Sequence, residues 1–498
     1  MNKDNIIFGL FTAGFLVLYA ASAFSLLSDT TGSRLFYMLT TGVPPMVALL
    51  LFPRAGLVVV VLLVCSVRWM YDWFELLPRE ATWLSDILIM MLVLRTVLFM
   101  VARRVTLIKI ERLIVVLLAY AAFTSVLNGV DKNSLAAGSR FAFRYIMLFL
   151  AAYHLNLTPR FLKGYIFLIF GIALFQLPVV LAQFQKVHWS DPDAIYGTLG
   201  RGGTTGMGLF LIVLVAHLVS RMLEESRVRI SYLALIVLMS IPPILGGIKF
   251  FFIFIPLLLA VMVRKTFFRK PVLVAGLFIG VVCLALGLNY FAFATSRATT
   301  SRQPLMILFD LPRYFRHDIQ VAEYGHYDRG FMYSQAIRLG LADPVSGLFG
   351  HGMGSNSASA AFNTSSSTLS MFAQWNMTSL GTMGVIWLYT EYGLCGVILF
   401  FYLLWLMFRR AKILLASENR EERIYGRTLE AIVVIFTVWN FYGPAWQLDS
   451  INIGFWPLAA LLVRLSYSKE PKREPSPAAS EAVPGELHPR TTLTAAAR

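Results

Sequence analysis

The chain has 498 residues, 57% of them hydrophobic and only 14% charged, with a formal net charge of +16. Ordinary soluble domains carry about 25% charged residues, and the mean hydropathy here is +0.68, which excludes a soluble globular protein. The apolar runs are long and continuous, which excludes the short alternating strands of a spanning β-barrel.

Taken in chain order, runs near the ~20 residues that cross a bilayer as a helix predict an all-α polytopic membrane protein with about 14 transmembrane helices. The first, 6–27, has only Lys3 as a basic flank and is followed by many more spans. It is therefore expected to be a retained helix and not a cleaved signal peptide. Next come 35–51, 55–71, 83–101, 112–127, 140–153, 161–183, 205–222, 230–246, 250–263 and 271–293. Spans 381–408, 428–442 and 451–466 follow a long polar interval. The chain thus divides into eleven helices over 1–293, a loop subdomain over 294–380, three helices over 381–466, and a Pro- and Ala-rich tail over 467–498. Such a tail has little to pack and is expected to be disordered. Cys65, Cys283 and Cys395 all fall in apolar spans, so neither a disulfide framework nor a zinc site is indicated.

The basic residues test this count. Arg103, Arg104, Lys109 and Arg112 share one loop; Arg221, Arg227 and Arg229 share a second. Arg264, Lys265, Arg269 and Lys270 form a third cluster, and Arg409, Arg410, Lys412, Arg420, Arg423 and Arg427 a fourth. All four follow even-numbered spans and so lie on one side with both termini. The positive-inside rule makes that side cytoplasmic. The net positive charge then reports topology, and no nucleic-acid partner is expected. The outward connections are short except 294–380, which at about 87 residues is long enough to be functional. Its "LFDLPRYF" and "RGFMYSQAIRLGL" stretches predict an ordered subdomain, capped by the Ser/Thr/Asn-rich run 355–370.

Several charged or titratable residues remain on the outer side. Arg201 sits in "GTLGRGGTTGMG", where glycines allow close backbone approach to a ligand or simply form a turn. Lys249 follows "IPPILGG" at the outer edge between two spans, where it either snorkels or holds phosphate as a point charge. Arg329 opens "RGFMYSQAIRLGL" and has Asp328 as a neighbouring acid. Arg140 and Arg144 share a helix face at the outer end of the sixth span, as interface anchors or anion ligands. His351, between Gly350, Gly352 and Gly354 in "LFGHGMGSNS", is a candidate proton acceptor near neutral pH. The stretch lacks the Walker lysine pattern and its strand–turn–helix context. "DPD" at 191–193 reads as a proline-centred turn, and no Cys/His metal constellation is present. Together the outer Arg and Lys residues suit a lipid-borne diphosphate, because guanidinium groups match phosphate oxygens bidentately.

In this order, "GTLGRGGTTGMGLFLIV", "GGIKFFFIFIPLLLA", "DRGFMYSQAIRLGLADPVSGLFGHGMGSNS" and "LYTEYGLCGVILF" resemble the bacterial O-antigen polymerase and O-antigen ligase superfamily. The matching motifs span about 195–400, the last being the family's E-x-G-x-x-G helix with Glu391. The resemblance implies a C-type glycosyltransferase-like fold working on the periplasmic face of a bacterial inner membrane without metal or cofactor. Its implied substrate is an oligosaccharide repeat unit on undecaprenyl diphosphate. Arg201, Lys249, Arg329 and His351 would serve catalysis; Arg140, Arg144, Gly350, Gly352, Gly354 and Glu391 would bind substrate. A chain-length regulator and a flippase are partners the resemblance implies. One departure is specific: the family's His nine residues before the Glu is Thr382 here, which favours the exopolysaccharide polymerase branch over the ligases. The general base is then open among His351, His326 and Glu323. A different class, a 14-span lipid-linked oligosaccharide flippase, also fits the span number, although no repeat relates the two halves.

Overall fold

The computed structural model describes residues 52–187, 194–200, 203–225, 229–246, 248–263, 329–356, 383–443 and 448–468. Among these, every regular element is a helix. We number them α1 (Pro53–Phe74), α2 (Leu84–Ala102), α3 (Lys109–Leu127), α4 (Lys132–Tyr153), α5 (Pro159–Val187), α6 (Thr204–Glu225), α7 (Ile230–Leu245) and α8 (Lys249–Val263). Then come α9 (Arg329–Ala342), α10 (Pro344–Phe349), α11 (Gly384–Leu415), α12 (Arg420–Tyr442) and α13 (Asp449–Tyr467).

Eleven of the predicted spans fall on described residues, and each meets a helix. Eight helices are long and apolar enough to cross a membrane; α7 and α8 are shorter apolar helices. Spans 6–27, 35–51 and 271–293 lie outside the described residues, as does the tail beyond 468. Side chains start several of these helices by satisfying N–H groups that the first turn leaves open. The Asp131 carboxylate accepts from the Asn133 and Ser134 N–H groups at α4, and Asn419 accepts from Glu421 N–H at α12. Glu111 folds back to accept from Ile108 N–H at α3, 2.8 Å away.

The Asp131 cap moves one boundary. Hydropathy starts the sixth span at 140, but α4 already begins at Lys132. Arg140 and Arg144 consequently lie in the third and fourth turns of the helix, not at its outer end.

Helix α6 forms the centre of the bundle and is buried on nearly every face. It packs on α12, α13, α7 and α8; α4 is largely buried against α13, while α2 and α5 lie toward the periphery with Met90, Leu94, Val101 and Phe167 exposed. Close approach is bought by small residues, as is usual between membrane helices: a Cβ at Gly208 would press on Ile248 and Phe250, and one at Gly454 on Phe210.

The two ends of the bundle differ in charge. At one end, Glu224 accepts from Arg423 and Arg427, both at 2.8 Å. Glu225 pairs with Arg229 and Arg420, Arg221 with Glu421, and Lys412 with Glu430. His154 meets Glu111 at this same end, and Arg410 lies 3.4 Å over the Tyr467 ring. Residues of three predicted basic clusters therefore share one end; the cluster at 264–270 lies outside the described residues. The long polar interval contributes α9 and α10 to the opposite end. Both pack directly on α11 and do not form a separate body: Met332 and Ala336 share a core with Met383, Val385 and Ile386.

Candidate functional site

At this second end the glycine-rich stretch meets a break in α11. Gly393 adopts φ 63, ψ −172, inside what is otherwise a helix of 32 residues. Such a break strands the carbonyls of the preceding turn. Three of them are answered from outside the helix. His351 N–H donates to Thr390 O at 2.9 Å, Gly352 N–H to Glu391 O at 3.0 Å, and the Tyr120 hydroxyl to Tyr392 O at 2.8 Å.

The loop has no room for side chains where it touches the break. Gly350 (φ 80, ψ 178) and Gly393 both occupy a backbone region that is essentially glycine-only. A Cβ on Gly350 would overlap the Glu391 carbonyl, and one on Gly393 the Leu348 carbonyl. Gly354 lies as closely against Ser134 and Gly138. The outgoing segment is tied down by Met353 N–H to Ser125 Oγ (2.9 Å), and Asn128 Nδ2 donates to Gly350 O (3.2 Å).

Gly350, Gly352, Gly354, His351 and Glu391 are thus brought together. Glu391 is fully buried, and its Oε1 accepts from Asn356 N–H at 3.2 Å, so it holds the end of the loop. The His351 ring is half-buried and makes no hydrogen bond with the described residues. Burial pushes its pKa below the ordinary value, and the Asp343 carboxylate opposes that shift. A neutral imidazole beside a glycine-lined wall is competent to accept a proton.

Arg140 and Arg144 do share a face, and both turn it toward Asp86 on α2. Arg140 Nε lies 2.7 Å from Asp86 Oδ2. Arg144 bridges Asp86 and Asp449, joining α2, α4 and α13. Its side chain is only 7% exposed, with both carboxylates occupying the guanidinium. An arginine with both terminal nitrogens paired in this way is a clamp between helices, although its buried Nε finds no hydrogen-bond partner among the described residues.

Arg201 lies outside the described residues, and its flanks are held firmly. Gln183, fully buried on α5, accepts from the N–H groups of Tyr196 and Gly197 (3.1 and 2.8 Å) and donates to Gly197 O (2.9 Å). Gln176, two turns earlier on the same face, accepts from Thr198 N–H and donates to Thr198 Oγ1. These two glutamines were missed by sequence reasoning; their spacing of seven inside an apolar span was the available signal. Beyond the turn, Gly203 N–H closes onto Gly200 O at 2.8 Å and α6 begins.

Lys249 and Arg329 are the first residues of α8 and α9. The next residue of α8, Phe250, packs 4.5 Å from Trp439 and 5.9 Å from Tyr442. One turn into α9, the Tyr333 hydroxyl donates to Phe441 O at 2.7 Å. Both helix starts therefore converge on the end of α12. His326, Glu323 and Thr382 lie outside the described residues. No group of His, Cys, Asp and Glu suited to a metal ion occurs among the described residues.

The fold and these contacts define a polytopic helical membrane protein with a loop-capped, broken helix at one end. Compared with known proteins, the chain matches no family model and no curated protein.

Proposed function

We propose that the chain is a polysaccharide polymerase of a bacterial inner membrane. It would join undecaprenyl-diphosphate-linked oligosaccharide repeat units by glycosyl transfer on the periplasmic face, with both termini cytoplasmic. The observation that carries this reading is the convergence of the starts of α8 and α9, with Lys249 and Arg329, on the end of α12. That end lies opposite the acid-paired network at Glu224 and Glu225.

An acceptor sugar hydroxyl attacks the anomeric carbon of the donor. The new C–O bond forms as the bond to the diphosphate oxygen breaks, and the hydroxyl proton passes to a base, for which His351 is the described candidate. Lys249 and Arg329, with Arg201 as the sequence expects, stabilise negative charge developing on the departing diphosphate. Preorganised cations in a site shielded from water act most strongly on such charge. The glycine loop walls the sugar site, and Arg140 and Arg144 steady the helices behind it. A chain-length regulator and a flippase are the partners this reading calls for.

A second reading has one observation in its favour. Discontinuous helices also line the substrate sites of secondary transporters, and α11 is discontinuous, so a lipid-linked oligosaccharide flippase is the alternative. Purified protein in liposomes with lipid-linked repeat units, and no nucleotide sugar, separates the two. The expected product is a ladder of repeat multiples, lost at least ~100-fold in Arg329→Ala, as for other charge-stabilising groups. Unchanged single units appearing on the opposite leaflet would replace the polymerase with a flippase.

A further inference from the structure

We propose that Arg68 is a phosphate-binding residue of the outer site, its guanidinium taking the diphosphate of a membrane-anchored donor. The proposal rests on the polymerase reading and deepens it with a residue that no motif singled out.

Three observations converge on Arg68. First, its stem is packed against a fixed turn. Gly200 has φ 81 and ψ 168, a glycine-only conformation, and a Cβ there would overlap Cβ, Cγ and Cδ of Arg68. The turn itself is pinned by buried Gln176 and Gln183, so the guanidinium projects from a rigid seat.

Second, the head of Arg68 is available. Its ion-pair partner among the described residues is Asp72 at 3.6 Å, beyond hydrogen-bond length, and the side chain is 48% exposed. By contrast Arg144 is enclosed by two carboxylates, and Arg423 and Arg427 are hydrogen-bonded to Glu224.

Third, the depth fits. Trp69 adjoins Arg68, and Trp73, one turn on, carries Lys186 at 4.8 Å over its ring. Tryptophans of this kind mark the headgroup level of a bilayer, where a lipid-borne diphosphate lies. A guanidinium fork at that level suits paired phosphate oxygens.

The test is binding of farnesyl diphosphate to the full-length protein in neutral detergent, followed by titration calorimetry, with phosphatidylglycerol as the competing phosphate. Arg68→Ala is expected to weaken farnesyl diphosphate about tenfold or more, the loss of charge-assisted hydrogen bonds. Asp72→Asn, which frees the guanidinium, is expected to tighten it; a misfolded variant would not do so. Unchanged affinity in both variants, with Arg329→Ala still impaired, overturns the assignment of Arg68 and leaves the polymerase reading standing. Equal, Arg68-dependent binding of phosphatidylglycerol overturns the donor as the ligand in favour of ordinary lipid. No binding by the unaltered protein overturns both.

Discussion

His351 illustrates how much one side chain's surroundings decide. Burial disfavours its imidazolium, so its folded-state pKa lies below the ordinary 6.5, with Asp343 pulling the other way. The unfolded chain therefore binds the proton first as pH falls. Its contribution to stability is complete above about pH 6.5 and is lost progressively below it, until the folded ring protonates as well. Thermal unfolding in detergent between about pH 7.5 and 5 is expected to show this slope, and His351→Gln to flatten it. Equal slopes would mean that the ring is as free in the fold as in the unfolded chain. Asp343 behaves differently. Its pKa is held low by hydrogen bonds from Ser346 and Val345, and its share of stability disappears only as acid titrates it below the usual carboxylate range.

Among the elements, α11 depends most on residues far away in sequence. Gly393→Ala must force a Cβ into a glycine-only conformation, at about 1–3 kcal/mol, and into the Leu348 carbonyl. The expected result is a lower unfolding temperature together with protease access to the 348–356 loop. Gly171→Ala, in α5 with nothing within 4 Å, is the matched control and is expected to be neutral or slightly stabilising. The break could not be read from "TEYGLCG", which is apolar enough to pass for continuous helix. What permits it is a set of donors from a loop some forty residues earlier and from Tyr120, a long-range arrangement with no local signature. The spans were legible because lipid imposes length and hydropathy on each one separately. Gln176 and Gln183 were not, because their meaning lies in the turn they hold.

For the whole molecule, charge is sorted by position. One end gathers carboxylates that answer the basic clusters, while the other carries the clamp of Arg144 with Asp86 and Asp449. Arg144→Ala leaves Asp86 with Arg140 alone and Asp449, 37% exposed, without its arginine, so it is expected to cost about 1–3 kcal/mol. Arg140→Ala, at a more exposed position, is expected to cost much less. Unfolding temperatures of the purified variants decide this, and an unshifted Arg144→Ala would remove the clamp from the account. Sequence reasoning found both arginines and their shared face. It misjudged their depth, because the polar run 131–140 depresses hydropathy while Asp131 starts the helix there.

The break at Gly393 also sets a depth. Counted from Arg409, the first cation at the paired end, sixteen residues at 1.5 Å each put it only about 24 Å up the helix. A hydrocarbon layer is about 30 Å thick, so a layer that begins at Arg409 is expected to reach past the glycine loop. Irregular backbone survives there only when sheathed by protein, which is what the ties to Thr390, Glu391, Ser125 and Asn128 accomplish. On that placement, longer acyl chains are expected to draw His351 further from water and shorter ones to lift it out, which would make lipid chain length a dial on the hydration of that imidazole.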